Sequence, residues 1–325
     1  MKIGRNFTNL LEIDYLSPDQ LQDLKTGKID VSDMDFITQN QVKADIVHQI
    51  KTAAEFGVQH IELDGAVPNP YLYMTDAQKK EIFDAGKDNN VSISLHLPYT
   101  YVAQSVCAFQ ETDRQIACDL QKRYIDFAHD IGAIALNMHP GSVPYYQTGE
   151  HYKAGLWENL KKSLIELASY AAKFNLKFHL ENNTAYDIIF VAPEDGIKIV
   201  QDVRAEGIDN IYYNLDIGHW FTIINNGGVV PEPPEKVIEK IPSDIIYELH
   251  LNDYVPKTGR FHPPLHWQSG LLKKENIRNY FKIVKSKNVQ LVLLETAIRK
   301  NEEALSSKQI LKEEDEYIMQ LFEEA

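Results

Sequence analysis

This sequence of 325 residues contains little cysteine, and it has no long hydrophobic runs. The two cysteines, Cys107 and Cys118, are too few for a disulfide scaffold and indicate free thiols in a reducing compartment. No run approaches the roughly 20 apolar residues that a membrane helix needs, and the N-terminus lacks a signal-peptide pattern. We therefore predict a cytoplasmic protein that does not cross a membrane.

Positive charge is in deficit, because 33 basic residues face 47 acidic ones and the formal net charge is −14. Such a composition disfavours nucleic acid as a partner, although an acidic protein can still carry a local basic groove. A G-x-G-x-x-G motif after the first predicted strand is also missing, which disfavours an open dinucleotide-binding sheet.

Eight short apolar segments alternate with longer amphipathic ones along the chain. They are apolar nearly throughout, as expected for parallel strands that helices cover on their outer face. We predict strands at Lys2–Asn6, Val58–Asp64, Val91–Leu97, Ala133–His139, Leu176–Asn182, Asn210–Asp216, Ile245–His250 and Val289–Glu295. This alternation favours an α/β fold, an eight-stranded (β/α)8 TIM barrel, over a doubly wound sheet.

The prediction is a single barrel domain over residues 1–325 with two additions. A long insertion at residues 7–39 follows the first strand and should lie near the barrel mouth. The charged segment 301–325 should form a peripheral C-terminal helix.

Side chains that can bind metals recur at the ends of the later predicted strands, 34 to 45 residues apart. That spacing is about the length of one βα unit, and the carboxyl ends of barrel strands meet at one rim. The side chains should therefore converge. The markers, one for each strand, are His96, His139, Glu181, Asp216, His250 and Glu295.

Four of these residues form the predicted metal site: Glu181, Asp216, His250 and Glu295. Three carboxylates and one imidazole suit a divalent cation such as Mn²⁺, Mg²⁺, Co²⁺ or Zn²⁺. Without a cation, the carboxylates would repel one another and at least one pKa would rise.

Other polar and aromatic residues flank this set and could bind a second metal or a substrate. His96, His139, His219 and His262 form this group, and His266 competes with His262 for the same loop position. Each could equally be a hydrogen-bonded loop histidine. The aromatic residues expected to wall a pocket are Tyr99, Trp220 and Trp267.

With these segments placed, the chain resembles the xylose-isomerase-like barrel superfamily from Lys2 to about Thr296. The resemblance implies that Glu181, Asp216, His250 and Glu295 bind one divalent metal. It also implies that Glu181 and Glu295 form the acid/base pair and that His219 contacts the substrate. The expected activity is a metal-dependent isomerase or epimerase of a sugar, sugar phosphate or keto-polyol that acts through an enediolate. Barrels of this type often associate, so a homo-oligomer stays open.

The same superfamily contains endonuclease IV-like nucleases with up to three zinc ions, which is the alternative. Their ligands match His96, His139, His219, His250 and His262, together with the three carboxylates of the predicted metal site. The family's Asp-x-His becomes Arg260-Phe261-His262 here, so a cation replaces a carboxylate ligand. Arg260 would oppose zinc but could hold a phosphate or hydroxyl group of a sugar, which favours the sugar enzyme. A barrel that binds a metal or sugar without turnover, or within a heteromeric enzyme, is a third alternative.

Overall fold

The structure is a computed structural model, and it describes residues 1–185 and 192–325. Its centre is an eight-stranded parallel sheet, and a short antiparallel pair lies outside that sheet. The ten strands are β1 (Lys2–Arg5), β2 (His60–Asp64), β3 (Ser92–His96), β4 (Ala135–Met138), β5 (Lys177–Glu181), β6 (Ile211–Asn214), β7 (Glu248–His250), β8 (Tyr254–Val255), β9 (Arg260–Phe261) and β10 (Leu291–Leu294).

The predicted TIM barrel is confirmed. The strand order is β6-β5-β4-β3-β2-β1-β10-β7, which follows the chain apart from the β8–β9 pair. An isolated parallel bridge between Asp216 and His250 connects the two edge strands. Beside it, the His250 N–H donates to the Leu215 carbonyl over 3.2 Å. Every predicted strand is present, and each is one to three residues shorter at an end.

Helices cover the outside of the sheet. Among the described residues, none of them is both long and apolar enough for a membrane span. The helices are α1 (Thr8–Leu11), α2 (Pro18–Thr26), α3 (Val31–Ala44), α4 (Ile46–Glu55), α5 (Asp76–Asp88), α6 (Glu111–Asp130), α7 (Glu150–Ala172), α8 (Pro193–Arg204), α9 (Ile217–Phe221), α10 (Lys274–Ser286), α11 (Asn301–Leu305) and α12 (Ser307–Glu324).

The segment after β1 is more helical than its sequence pattern indicated. Ser17 and Asp30 begin α2 and α3 with capping boxes, in which each cap side chain accepts a backbone N–H of the first turn. Such caps satisfy donors that have no partner within the helix. The helix α3 continues past the predicted insertion, to Ala44.

The predicted C-terminal helix is confirmed as α12, and a buried arginine of β1 holds it. The fully buried Arg5 donates to Glu314 over 2.9 Å and to Asp315 over 2.6 Å. It also donates to the Thr296 hydroxyl, just after β10, over 2.8 Å. The ion pairs therefore connect the first strand, the last strand and the last helix.

The inner face of the barrel is mostly polar, whereas its outer face is mostly apolar. Side chains alternate between the two faces of a strand. In β2, Ile61 and Leu63 belong to the hydrophobic core, while Glu62 lies beside Ser94 of β3. Bulky aliphatic residues usually fill the interior of a TIM barrel. Here, inward-facing polar residues form layers below the mouth.

Candidate active site and metal centre

The four residues of the predicted metal site lie together at the carboxyl ends of β5, β6, β7 and β10. Their ligand atoms all fall within 4.8 Å of one another. His250 Nδ1 is 3.4 Å from Glu181 Oε1, 3.9 Å from Asp216 Oδ2 and 3.5 Å from Glu295 Oε2. The parallel strands thus bring one imidazole nitrogen and three carboxylates to a single point.

This donor set fits a divalent cation. Glu181, Asp216 and His250 are fully buried. Among the described residues, His250 Nδ1 has no hydrogen-bond partner, and Glu181 Oε1 has only the contact with His219 Nδ1 at 3.1 Å. Buried polar atoms are normally paired, because desolvation without a partner costs about 1–3 kcal/mol. A bound cation would satisfy both atoms and reduce the repulsion among the carboxylates.

The pKa values of Glu181 and His250 also indicate a site that favours positive charge. Burial would raise the pKa of Glu181, but the charge of the neighbouring His250 holds that pKa well below its ordinary value. Burial would lower the pKa of His250, yet the carboxylates of Glu181 and Glu295 raise it well above the usual range.

Two further ligand groups adjoin the first and share its carboxylates. One contains Glu181 with His96 and His139, and His96 Nε2 is 3.3 Å from Glu181 Oε2. The other contains Asp216 with His219 and His262. Its imidazole nitrogens lie 3.6 and 3.7 Å from Asp216 Oδ2.

The four outer histidines divide into two kinds by protonation. Burial opposes the charged form of His96 and His219, but the Glu181 and Asp216 carboxylates raise their pKa values to about 10 and about 9. For His139 and His262 burial dominates and lowers the pKa to about 3 and about 4. Neutral imidazoles are the form that binds metals.

His262 occupies an unusual backbone conformation immediately after β9. Its φ is +50°, in the left-handed region that non-glycine residues seldom adopt. Its N–H donates to the Asp253 carbonyl over 3.0 Å, and its own carbonyl accepts from the Ala297 N–H over 2.9 Å. These bonds hold the strained residue with its ring facing the Asp216 carboxylate, and such strain is frequent at functional sites.

A cavity of about 260 Å³ opens above the ligand groups. A second cavity of about 300 Å³ adjoins it and shares Tyr99, His139 and His219 with it. Most residues that line the first cavity have polar side chains, which can form hydrogen bonds with a hydroxylated ligand. Its lining is Asn6, Asn9, Asp64, His96, Tyr99, His139, His219, Phe261, His262, Glu295, Thr296, Ala297 and Arg299.

Asp64, at the end of β2, lines this cavity, and its carboxylate is fixed by neighbouring groups. The fully buried Lys43 lies 2.9 Å from its Oδ2, and the Ala66 N–H donates to its Oδ1 over 2.8 Å. Although burial would raise the pKa of Asp64, Lys43 lowers it below the ordinary value. The Tyr99 hydroxyl is 3.5 Å from Oδ1.

Four of the residues expected at the site are elsewhere. Arg260 makes a forked ion pair with Glu303 at 2.7 and 3.0 Å, and its guanidinium lies over the Trp267 ring. His266 faces Glu313 at 3.5 Å. Trp220 is buried among core residues and, like Arg260, His266 and Trp267, does not line either cavity. The ion pair with Glu303 and the contact with the Trp267 ring explain why Arg260 lies outside the cavities.

A layer of buried polar groups, which the predicted site did not include, lies below the four residues of that site. Glu62 and Glu248 lie 3.7 and 3.5 Å from His250 Nε2, and His179 lies 3.0 Å from Glu248. All of them are fully buried. The alternation of β2, with His60, Glu62 and Asp64 on one face, was the available signal.

Comparison with solved structures shows the same fold in sugar enzymes. The chain is similar to D-psicose 3-epimerase from Clostridium cellulolyticum H10, with a TM-score of 0.69, 16% identity, and coverage of 99% of this chain and 98% of the other. For 3-keto-D-glucoside 4-epimerase from E. coli the TM-score is 0.60 and the identity 17%, over 83% and 94% of the two chains.

A xylose isomerase-like TIM barrel protein from Mycobacterium smegmatis, solved in complex with magnesium, gives a TM-score of 0.58 at 18% identity, covering 99% and 96% of the two chains. No curated protein matches the chain by sequence. The sequence model of one family matches residues 50–318, which is most of the chain. The chain therefore belongs to the xylose isomerase-like TIM barrel family.

Proposed function

We propose that the protein is a divalent-metal-dependent isomerase or epimerase of a sugar or a related keto-polyol. The observation that carries the proposal is the position of Glu295. Its carboxylate belongs to the four-residue ligand group and also lines the cavity. One group can thus lie next to both a cation and the substrate carbon.

In this proposal Glu181, Asp216, His250 and Glu295 hold the cation. Bound there, it would stabilise the negative charge that develops on the substrate carbonyl oxygen. Glu295 removes the proton from the carbon beside the carbonyl, and the C–H electron pair forms an enediolate. Return of a proton to the same carbon from the other side gives an epimer, whereas return to the neighbouring carbon gives an isomer.

The second acid/base role that the resemblance assigns to Glu181 is less well supported. Glu181 is fully buried and does not line the cavity. We therefore assign it chiefly to the cation and assign the return of the proton to a histidine of the cavity wall. Asp64, Tyr99, Asn6 and Asn9 provide the polar contacts for substrate hydroxyl groups.

Proton exchange tests this proposal. The protein, loaded with Mn²⁺, would be incubated in D₂O with a panel of ketoses, their phosphates and inositol-type ketones. We expect deuterium at the carbon next to the carbonyl, detected by NMR, and its loss in Glu295→Gln. Glu302→Gln, an exposed glutamate of α11, is the matched control and should exchange normally. Absence of exchange with every compound would refute the proposal.

Hydrolysis of a phosphodiester is the second candidate, and the three connected ligand groups favour it. They share Glu181 and Asp216, as neighbouring ions in a multinuclear site would require. Metal content by mass spectrometry separates the alternatives: close to three zinc ions favours a nuclease, and one exchangeable ion favours the isomerase. A barrel without turnover would give no deuterium exchange and no cleavage of DNA containing an abasic site.

A further inference from the structure

The two nitrogens of the His250 ring face two different groups of carboxylates. Nδ1 lies toward the metal ligands Glu181, Asp216 and Glu295, at 3.4 to 3.9 Å. Nε2 lies toward the barrel floor, 3.5 Å from Glu248 Oε1 and 3.7 Å from Glu62 Oε1. If His250 binds the cation through Nδ1, its Nε2–H must find an acceptor in the floor.

The floor is sealed from water. Glu62, Glu248, His179 and His250 have no exposed surface. Among the described residues, His250 Nε2 and both carboxylate oxygens of Glu248 make no hydrogen bond of ordinary geometry. An imidazole N–H without an acceptor would be costly at this depth, so the carboxylates have an energetic role here.

Glu248 is the better acceptor of the two. It is closer to Nε2, and its other oxygen lies 3.0 Å from His179 Nδ1, which supports its negative charge. Glu62 accepts from the Ser94 hydroxyl over 3.3 Å, and Ser94 in turn contacts His60. The 3.5 Å separation exceeds an ordinary hydrogen bond by a few tenths of an ångström. A small rotation of the ring would close that difference.

We propose that Glu248, supported by His179, is a positioning residue that holds His250 with Nδ1 directed at the metal site. This inference rests on the proposed metal-dependent function and extends it to two residues that touch neither the cation nor the substrate. A carboxylate behind a histidine ligand fixes its tautomer and ring orientation and makes it more basic. Loss of such a partner typically weakens metal binding about 10- to 100-fold.

The test is the metal affinity of Glu248→Gln, measured without substrate by competition with a chelator. We expect the Kd for Mn²⁺ or Co²⁺ to rise about 10- to 100-fold, and the visible spectrum of the Co²⁺ protein to change. His179→Gln should give a smaller rise in Kd and serves if Glu248→Gln does not fold. The matched control is Glu235→Gln, a buried glutamate that accepts from Asn276 and Asn279 on α10.

The outcomes separate this inference from the proposed function. A wild-type protein that binds no divalent cation overturns both. A wild-type protein that binds the cation, with folded Glu248→Gln and His179→Gln variants that keep its Kd and Co²⁺ spectrum, overturns the role of Glu248 alone. An equal loss of affinity in Glu235→Gln would also overturn it, because the effect would then be a general loss of stability.

Discussion

At the scale of single residues, the fold buries ionisable groups outside the candidate metal site as well as within it. Glu12, in the segment after β1, is such a group outside the candidate metal site. It is 1% exposed, and one of its carboxylate oxygens has no hydrogen-bond partner among the described residues. Burial, followed by the hydrogen bond and charge of Asp35, raises the pKa of Glu12 to about 9.

The raised pKa predicts that Glu12 reduces stability in alkaline solution. A folded-state pKa above the ordinary 4.5 means that Glu12 stays protonated in the folded protein to a higher pH than in the unfolded chain. The resulting stabilisation of the folded state is complete below pH 4.5 and is lost as pH rises toward 9. Glu12→Gln, which resembles the protonated form, should therefore stabilise the protein at pH 8 by on the order of a few kcal/mol and have little effect at pH 5. Urea unfolding at both pH values measures this. The same pH dependence in wild type and variant would contradict it, and exposed Glu81→Gln is the control.

At the scale of elements, the ion pairs of Arg5 connect β1 to α12. Removing one partner of a buried pair leaves uncompensated charge and costs about 3–5 kcal/mol. We expect Arg5→Met to lower the free energy of unfolding by about that amount, because Glu314 and Asp315 would lose their cation. Urea unfolding followed by circular dichroism provides the measurement.

A matched arginine on the surface gives the comparison for this prediction. Arg278 of α10 pairs with Glu275 and with Glu324 of α12, and these acids are partly exposed. Exposed pairs contribute about 0–1 kcal/mol, so Arg278→Met should cost much less than Arg5→Met. Similar losses in both variants would show that the burial of Arg5 has no special effect.

At the scale of the whole molecule, the barrel rim brings together carboxylates from distant parts of the chain. Their negative charges repel one another. A cation that binds only the folded state stabilises it by about 2.7 kcal/mol when its concentration is 100 times the Kd. We expect Mn²⁺ to raise the Tm of EDTA-treated protein by several degrees, as measured by differential scanning calorimetry.

Asp216→Asn provides the control for the metal effect. It keeps an oxygen that can accept the His219 N–H at the start of α9, but it removes a charged ligand. The rise in Tm should be much smaller in this variant. A full rise in Asp216→Asn would mean that the cation binds elsewhere.

The sequence by itself determined the barrel and the convergence of Glu181, Asp216, His250 and Glu295. Strand periodicity reports burial on both faces of a sheet, and the carboxyl ends of parallel strands share one rim. Local chemistry therefore predicted which side chains would meet, even across more than 100 residues of chain.

Only the tertiary structure decided where Arg260, His266, Glu62 and Glu248 belong. Arg260 and His266 lie in the same loop region as His262, but Arg260 pairs with Glu303, His266 faces Glu313, and neither lines the cavity. Glu248 is a buried charge that lies beside His179 of β5 and His250 of its own strand, β7. Pairing of buried charges depends on three-dimensional neighbours, and for this reason sequence spacing predicted that the four strand-end residues would meet but not which buried groups lie beneath them.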